Sequence, residues 1–176
     1  MEEGMKKSGG DGKTLVLIIM GSPNDLPVME EAVWMLEKFG VSYEITVTSA
    51  HRSPDRTQQI VKSAEKQGTE VFIVGAGGAA HLAGVAASLT SRPVIGVPID
   101  SSSLQGMDAL LSTVQMPGGV PVASMAIGKA GAKNAGIFAV QILSGKYPDL
   151  SGKLLAYKAE MAKEVEEKAV KMKKPA

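Results

Sequence analysis

At 176 residues the chain has the length of one domain. Its 44% hydrophobic and 21% charged residues are ordinary globular usage, which excludes wholesale disorder, collagen and a coiled coil. The lack of cysteine excludes disulfides, thiolate metal sites and cysteine nucleophiles, two histidines argue against a His-rich metal centre, and a net charge of +1 with 4% aromatics gives no nucleic-acid footprint.

The first 13 residues, MEEGMKKSGGDGK, mix acids, bases and glycine, and are expected to be a disordered leader without the apolar stretch of a signal peptide. Leu15 to Met20 is a continuous apolar run, the mark of a strand buried on both faces. It is the longest such run and falls far short of the ~20 residues a membrane span needs, so no membrane partner is expected and a cytoplasmic location is. Ser22-Pro-Asn-Asp25 is turn chemistry, with Asp25 as a candidate N-cap. Val28, Ala32, Val33, Met35, Leu36 and Phe39 recur at helical spacing up to a stop at Gly40.

Tyr43 to Thr48 alternates and reads as a second strand, followed by a loop over 49–55, a helix from Pro54 to Gln67 and a stop at Gly68. Glu70 to Val74 reads as the third strand, with Gly75 to His81 as a glycine turn into a small-residue helix. Pro93 to Val97 is the fourth strand, Leu104 to Val114 a helix, Val120 to Ala126 a weaker fifth strand, and Lys129 to Leu143 an alanine-rich helix. Five strand–helix alternations mean parallel strands with helical crossovers, an α/β three-layer sandwich around a central parallel sheet. After Pro148 an extra C-terminal helix carries Leu154, Tyr157, Met161, Val165, Ala169 and Met172 in one stripe, expected to pack partly on a neighbouring subunit.

In such folds ligands sit beyond the carboxyl ends of the strands. The four loops there read GSPNDLP, SAHRSPD, GAGGAAH and PIDSSSLQG, and both histidines fall among them. Gly75 to Ala80 fits a loose dinucleotide fingerprint, but it follows the third strand and lacks an acid about 20 residues on, so no nicotinamide or flavin is expected. Ser22, Asn24 and Asp25, between a strand and a helix start, suit an anion and a ribose diol, or else plain capping. Arg52 can hold a phosphate bidentately, and His51 can move protons near neutral pH. His81, opening a helix behind glycines, reads equally as capping or positioning. Lys129 could reach a phosphate, or sit in solvent.

MGSPNDLP, SAHRSPD, GAGGAAHLAG, QMPGGVPV and AIGKAGAKNAG, in this order over about residues 14 to 145, resemble the PurE family of purine biosynthesis. Arg52 and the GAGGAAH loop resemble its 5-(carboxyamino)imidazole ribonucleotide mutase branch, not the direct carboxylase branch. Asn24 stands where many members have serine, and Ala83 where HLPG is usual. The resemblance implies a flavodoxin-like catalytic domain over 14–147 and a homo-octamer bridged by the helix over 148–176. It also implies a ribonucleotide substrate and no metal or organic cofactor. Ser22, Asn24 and Arg52 would bind its phosphate and Asp25 its ribose, on a loop shaped by Ser49 and Ala50. His51 would shuttle the proton while Gly75, Ala76, Gly77, Gly78, Ala79, His81 and Leu82 wall a pocket for carbon dioxide. Direct carboxylation and a catalytically silent nucleotide-binding module are the alternatives.

Overall fold

A computed structural model of the chain describes residues 6–8 and 13–172. The strands are β1 (Lys6–Ser8), β2 (Val16–Met20), β3 (Tyr43–Val47), β4 (Val71–Gly77), β5 (Val94–Ile99) and β6 (Ala123–Ser124). The helices are α1 (Leu26–Phe39), α2 (Pro54–Gln67), α3 (Leu82–Leu89), α4 (Met107–Val114), α5 (Lys129–Ser144) and α6 (Pro148–Met172), with a 3₁₀ turn at Pro23–Asp25.

The apolar run of β2 is buried along its whole length, no residue more than 4% exposed. Alternate residues serve opposite layers. Val16, Ile18 and Met20 meet Met29, Ala32 and Leu36 of α1 and the alanines of α5. Leu17 and Ile19 face the other way, toward Val61 of α2, Ala83 and Ala86 of α3 and Ala109 of α4. Each such aliphatic side chain contributes about 1.5–3 kcal/mol on burial. Gly40 and Gly68 end α1 and α2 in the left-handed region, at φ 71° and 96°, as their places in the sequence predict.

The sheet order is β1-β3-β2-β4-β5-β6. β2 to β6 are parallel and form a flavodoxin-like three-layer sandwich. The chain leaves β2 toward β3 on one side and returns to β4 on the other, so the carboxyl ends of β2 and β4 flank the switch point where a crevice opens.

Several elements depart from expectation. Within the leader, Lys6–Ser8 is an antiparallel strand, Lys6 opposite Ile45 and Ser8 opposite Tyr43. It covers the edge that β3 would otherwise present. Residues 1–5 and 9–12 of the expected leader lie outside the described residues. β3 does not alternate between buried and exposed positions. Tyr43, Glu44, Ile45 and Thr46 are all buried, and the Glu44 carboxylate accepts the Thr14 hydroxyl at 2.8 Å. β4 continues through Gly77, so Gly75 and Gly77 are strand residues and the turn starts later. α4 starts at Met107, not Leu104, because the chain reverses through a left-handed Gln105 (φ 51°). The fifth parallel strand shrinks to Ala123–Ser124 behind Pro121, which has no N–H to give a ladder.

Candidate functional site

A cavity of about 310 Å³ opens at the carboxyl ends of β2, β3, β4 and β5. The loop after β2 contributes Gly21, Ser22 and Asp25; the loop after β3 contributes Ser49, Ala50, His51 and Arg52. The end of β4 and the start of α3 supply Ala76, Gly77, Ala79 and Leu82, and Ser101 closes the side after β5.

Each loop is fixed by its own short-range bonds. Ser22 caps the 3₁₀ turn, its hydroxyl accepting from Asn24 N at 3.2 Å, while the Asp25 carboxylate accepts from Ser22 N at 2.9 Å. This reciprocal box replaces the expected role of Asp25 as N-cap of α1, for Asp25 makes no side-chain cap bond there. The side chain of Asp25 is buried, and desolvation pushes its carboxyl above the ordinary value of 3.8, partly offset by hydrogen bonds from the Ser22 and Gly21 backbones. After β3, Arg52 N donates to Ser49 Oγ at 3.1 Å and Ser49 N to Ser53 Oγ at 3.1 Å. Beneath them the Thr48 and Thr57 hydroxyls meet at 3.0 Å in the core. His51 and Arg52 are thus carried on a braced turn with both side chains exposed. Among the described residues the Arg52 guanidinium has no ion-pair partner, which leaves its five donors for a ligand.

Ten of the residues singled out from the sequence line this cavity: Ser22, Asp25, Ser49, Ala50, His51, Arg52, Ala76, Gly77, Ala79 and Leu82. Four do not. Asn24 points to solvent and contributes only its backbone N–H to the turn. Gly75 lies in β4, where a Cβ would meet the Met29 sulfur and Ile99, so its smallness serves packing. Gly78 lies in the turn just beyond the lining. His81 is exposed and outside the lining, its Nδ1 2.9 Å from His51 Nε2. Lys129 is on a different depression, with Pro27, Glu30 and Trp34.

Sequence reasoning missed Gly21 and Ser101. A Cβ on Gly77 would collide with the Ser101 hydroxyl, so the bare backbone there is what admits Ser101 to the rim. A serine run after the fourth strand gave no local signal for that contact. The cavity combines a guanidinium, serine hydroxyls, a buried carboxylate, an imidazole and a small-residue wall. Such a set can hold a phosphate and a diol and move a proton beside them.

The family described as AIR carboxylase matches residues 15–164, the region that carries the whole sheet core and every lining residue. This chain belongs to the AIR carboxylase family. Within that family it is 58% identical over 160 residues to the N5-carboxyaminoimidazole ribonucleotide mutase of Pyrococcus horikoshii, covering 91% of this chain and 89% of that protein. It is 58% identical over 155 residues to the mutase of the same name from Thermotoga maritima, covering 88% and 90%. The crystal structure of Treponema denticola PurE superposes with a TM-score of 0.82 at 28% identity, covering 90% of this chain and 98% of that one. No described helix is long and apolar enough to cross a membrane.

Proposed function

We propose that this AIR carboxylase family member is an ATP-independent mutase of purine biosynthesis. It converts 5-(carboxyamino)imidazole ribonucleotide to 5-amino-4-imidazolecarboxylate ribonucleotide. The observation that carries the reading is the convergence of Ser22, Asp25, His51 and Arg52 on one cavity, in a chain 58% identical to mutases over most of its length. Phosphorylated ribonucleotides are made and used in the cytoplasm, and there the enzyme works. It assembles as a homo-octamer, a reading supported by the exposed apolar residues Trp34, Leu111, Val114 and Val165.

In the proposed reaction Arg52 and Ser22 hold the phosphate and Asp25 the ribose, which puts the imidazole ring against His51. His51 gives a proton to the exocyclic nitrogen as the N–C bond of the carbamate breaks and carbon dioxide is released. Ala76, Gly77 and Ala79 leave a space beside the ring but little room to diffuse. Ring carbon 4 then attacks the trapped carbon dioxide, and His51, now neutral, removes the proton from that carbon. The proton returns to its starting place and no co-reactant is consumed. Holding the gas at the ring is a positioning effect, of a kind worth ~7–11 kcal/mol of barrier.

The test is conversion of freshly made 5-(carboxyamino)imidazole ribonucleotide, followed by the ultraviolet rise of product, with and without bicarbonate. Turnover independent of bicarbonate is expected, falling about 10²–10⁴-fold in His51→Asn, the range of a lost general acid–base. Turnover only from aminoimidazole ribonucleotide with high bicarbonate would instead establish a direct carboxylase. Binding without turnover of either would establish a silent nucleotide module.

A further inference from the structure

His81 is the first residue before α3, the place where a polar side chain usually caps the helix. Its side chain makes no cap bond. Its backbone N donates to Ala79 O at 2.8 Å, and its carbonyl accepts from Val85 N at 2.9 Å, the first bond of α3. The imidazole instead reaches across from the β4–α3 turn to the β3–α2 turn, and its Nδ1 lies 2.9 Å from His51 Nε2. The two rings are nearly perpendicular, at 80°, with centroids 4.9 Å apart. His51 comes from a different loop, 30 residues earlier, so local geometry does not bring the rings together.

We propose that His81 is a positioning residue that accepts the His51 Nε2–H on its own unprotonated Nδ1 and so fixes the tautomer of His51; this rests on the mutase reading for its consequence in turnover. Two neutral imidazoles can share such a bond in either direction. Only one direction survives the proposed cycle. If His81 donated, protonation of His51 would set Nε2–H against Nδ1–H and break the contact at the moment His51 is charged. With His81 accepting, Nε2–H stays bonded whether His51 is neutral or cationic. Nδ1 is then the one ring nitrogen of His51 left to face the substrate. It carries the proton given to the departing nitrogen, and its lone pair, freed by that transfer, later takes the proton from carbon 4. A single atom thus serves both steps without ring rotation or tautomer exchange. The arrangement follows the rule that the bond made by one imidazole nitrogen decides the state of the other.

The test uses the whole protein labelled with ¹⁵N. In substrate-free wild type, at a pH where the spectra show His51 neutral, correlation spectra are expected to place its one proton on Nε2, with a nitrogen–nitrogen coupling across the bond to His81 Nδ1. His81→Leu removes the acceptor and is expected to abolish the protected Nε2–H signal. It should lower kcat roughly ten- to a hundredfold, the usual cost of losing an orienting partner, with KM changed less than about twofold. His81→Asn presents a carbonyl oxygen near the lost Nδ1, so it is expected to restore the Nε2–H signal and most of kcat but not the coupling. A neutral His51 whose single proton sits on Nδ1, or a His81→Leu enzyme that keeps wild-type kcat or loses only KM, overturns the assignment. An inert wild type with the coupling present would refute the mutase and still support the pairing, so the two failures read differently.

Discussion

At the scale of single residues, Asp25 shows how the site sets fold against function. The residue is 4% exposed, and its carboxylate accepts from Ser22 N at 2.9 Å. Burial holds its pKa above the ordinary 3.8, because one or two backbone donors do not replace the water it has lost. The folded state therefore binds this proton more tightly than the unfolded chain. Stability falls as pH rises from 3.8 through the raised value, and above it the ionised group is a constant cost. Asp25→Asn keeps an acceptor for Ser22 N and removes the charge. It is expected to raise Tm at pH 7, by ~2–4 °C for each kcal/mol of relief, while conversion of substrate collapses. The gain should vanish as pH approaches 4 or below, where the wild-type carboxyl is already neutral. Calorimetry of both proteins at pH 7 and at low pH checks this, and a Tm difference that is independent of pH would reject it.

At the scale of elements, α1 and α5 approach closely because their contact is built from small residues. Ala32 faces Ala132, Ala135 and Gly136 in the core, and a Cβ on Gly136 would lie 2.8 Å from both the Ala32 carbonyl and the Met35 Cβ. Two effects then compete in Gly136→Ala. Helix propensity favours alanine by about 0.5–1 kcal/mol. Overpacking against a backbone carbonyl that has no free rotamer costs about 1–3 kcal/mol. Overpacking outweighs propensity, so Tm is expected to fall by a few degrees, at ~2–4 °C per kcal/mol, where an open helical site would gain. A rise in Tm would show that the two helices can move apart at little cost. The same elements show what the sequence could carry. β2 and α1 were legible because Val16–Met20 is apolar throughout and Met29, Ala32, Leu36 and Phe39 keep a helical period. Gly75-Ala76-Gly77 reads as a turn, so the sequence alone ends this strand at Val74. The extension is imposed by β5, which pairs with it through Gly77 opposite Ile99. At the site, Ser22, Asp25, His51 and Arg52 were visible since each sits in a polar loop just past a strand. The partner of His51 and the entry of Ser101 were not, because both contacts are made between loops and depend on where two backbones stop.

At the scale of the whole molecule, α6 is divided by its packing. Its first turns hold Leu150, Leu154 and Tyr157 in the core, with the Tyr157 ring edge-on to Phe39 at 5.6 Å. Lys153 Nζ donates to the Phe39 carbonyl at 2.7 Å, placing a cation at the C-terminus of α1 where the helix dipole favours it. Glu70 ties down the corner before α6, accepting from Lys146 at 2.6 Å and Tyr147 at 2.8 Å. Beyond Tyr157 the stripe continues at the same spacing, yet Met161 is 40% exposed and Val165 66%. A solvated helical extension of this length is marginal in water unless its apolar side is covered, since most helix stability comes from packing. The octamer proposed above supplies such a cover from a neighbouring subunit. Deleting 161–176 spares every buried residue of α6, so the truncated chain is expected to keep its folded spectrum. Light scattering should give the full-length protein the mass of an octamer and the truncated one a smaller mass that rises with concentration. A truncated chain that stays octameric would move the interface elsewhere, to the exposed face of α4 where Met107, Leu111 and Val114 align.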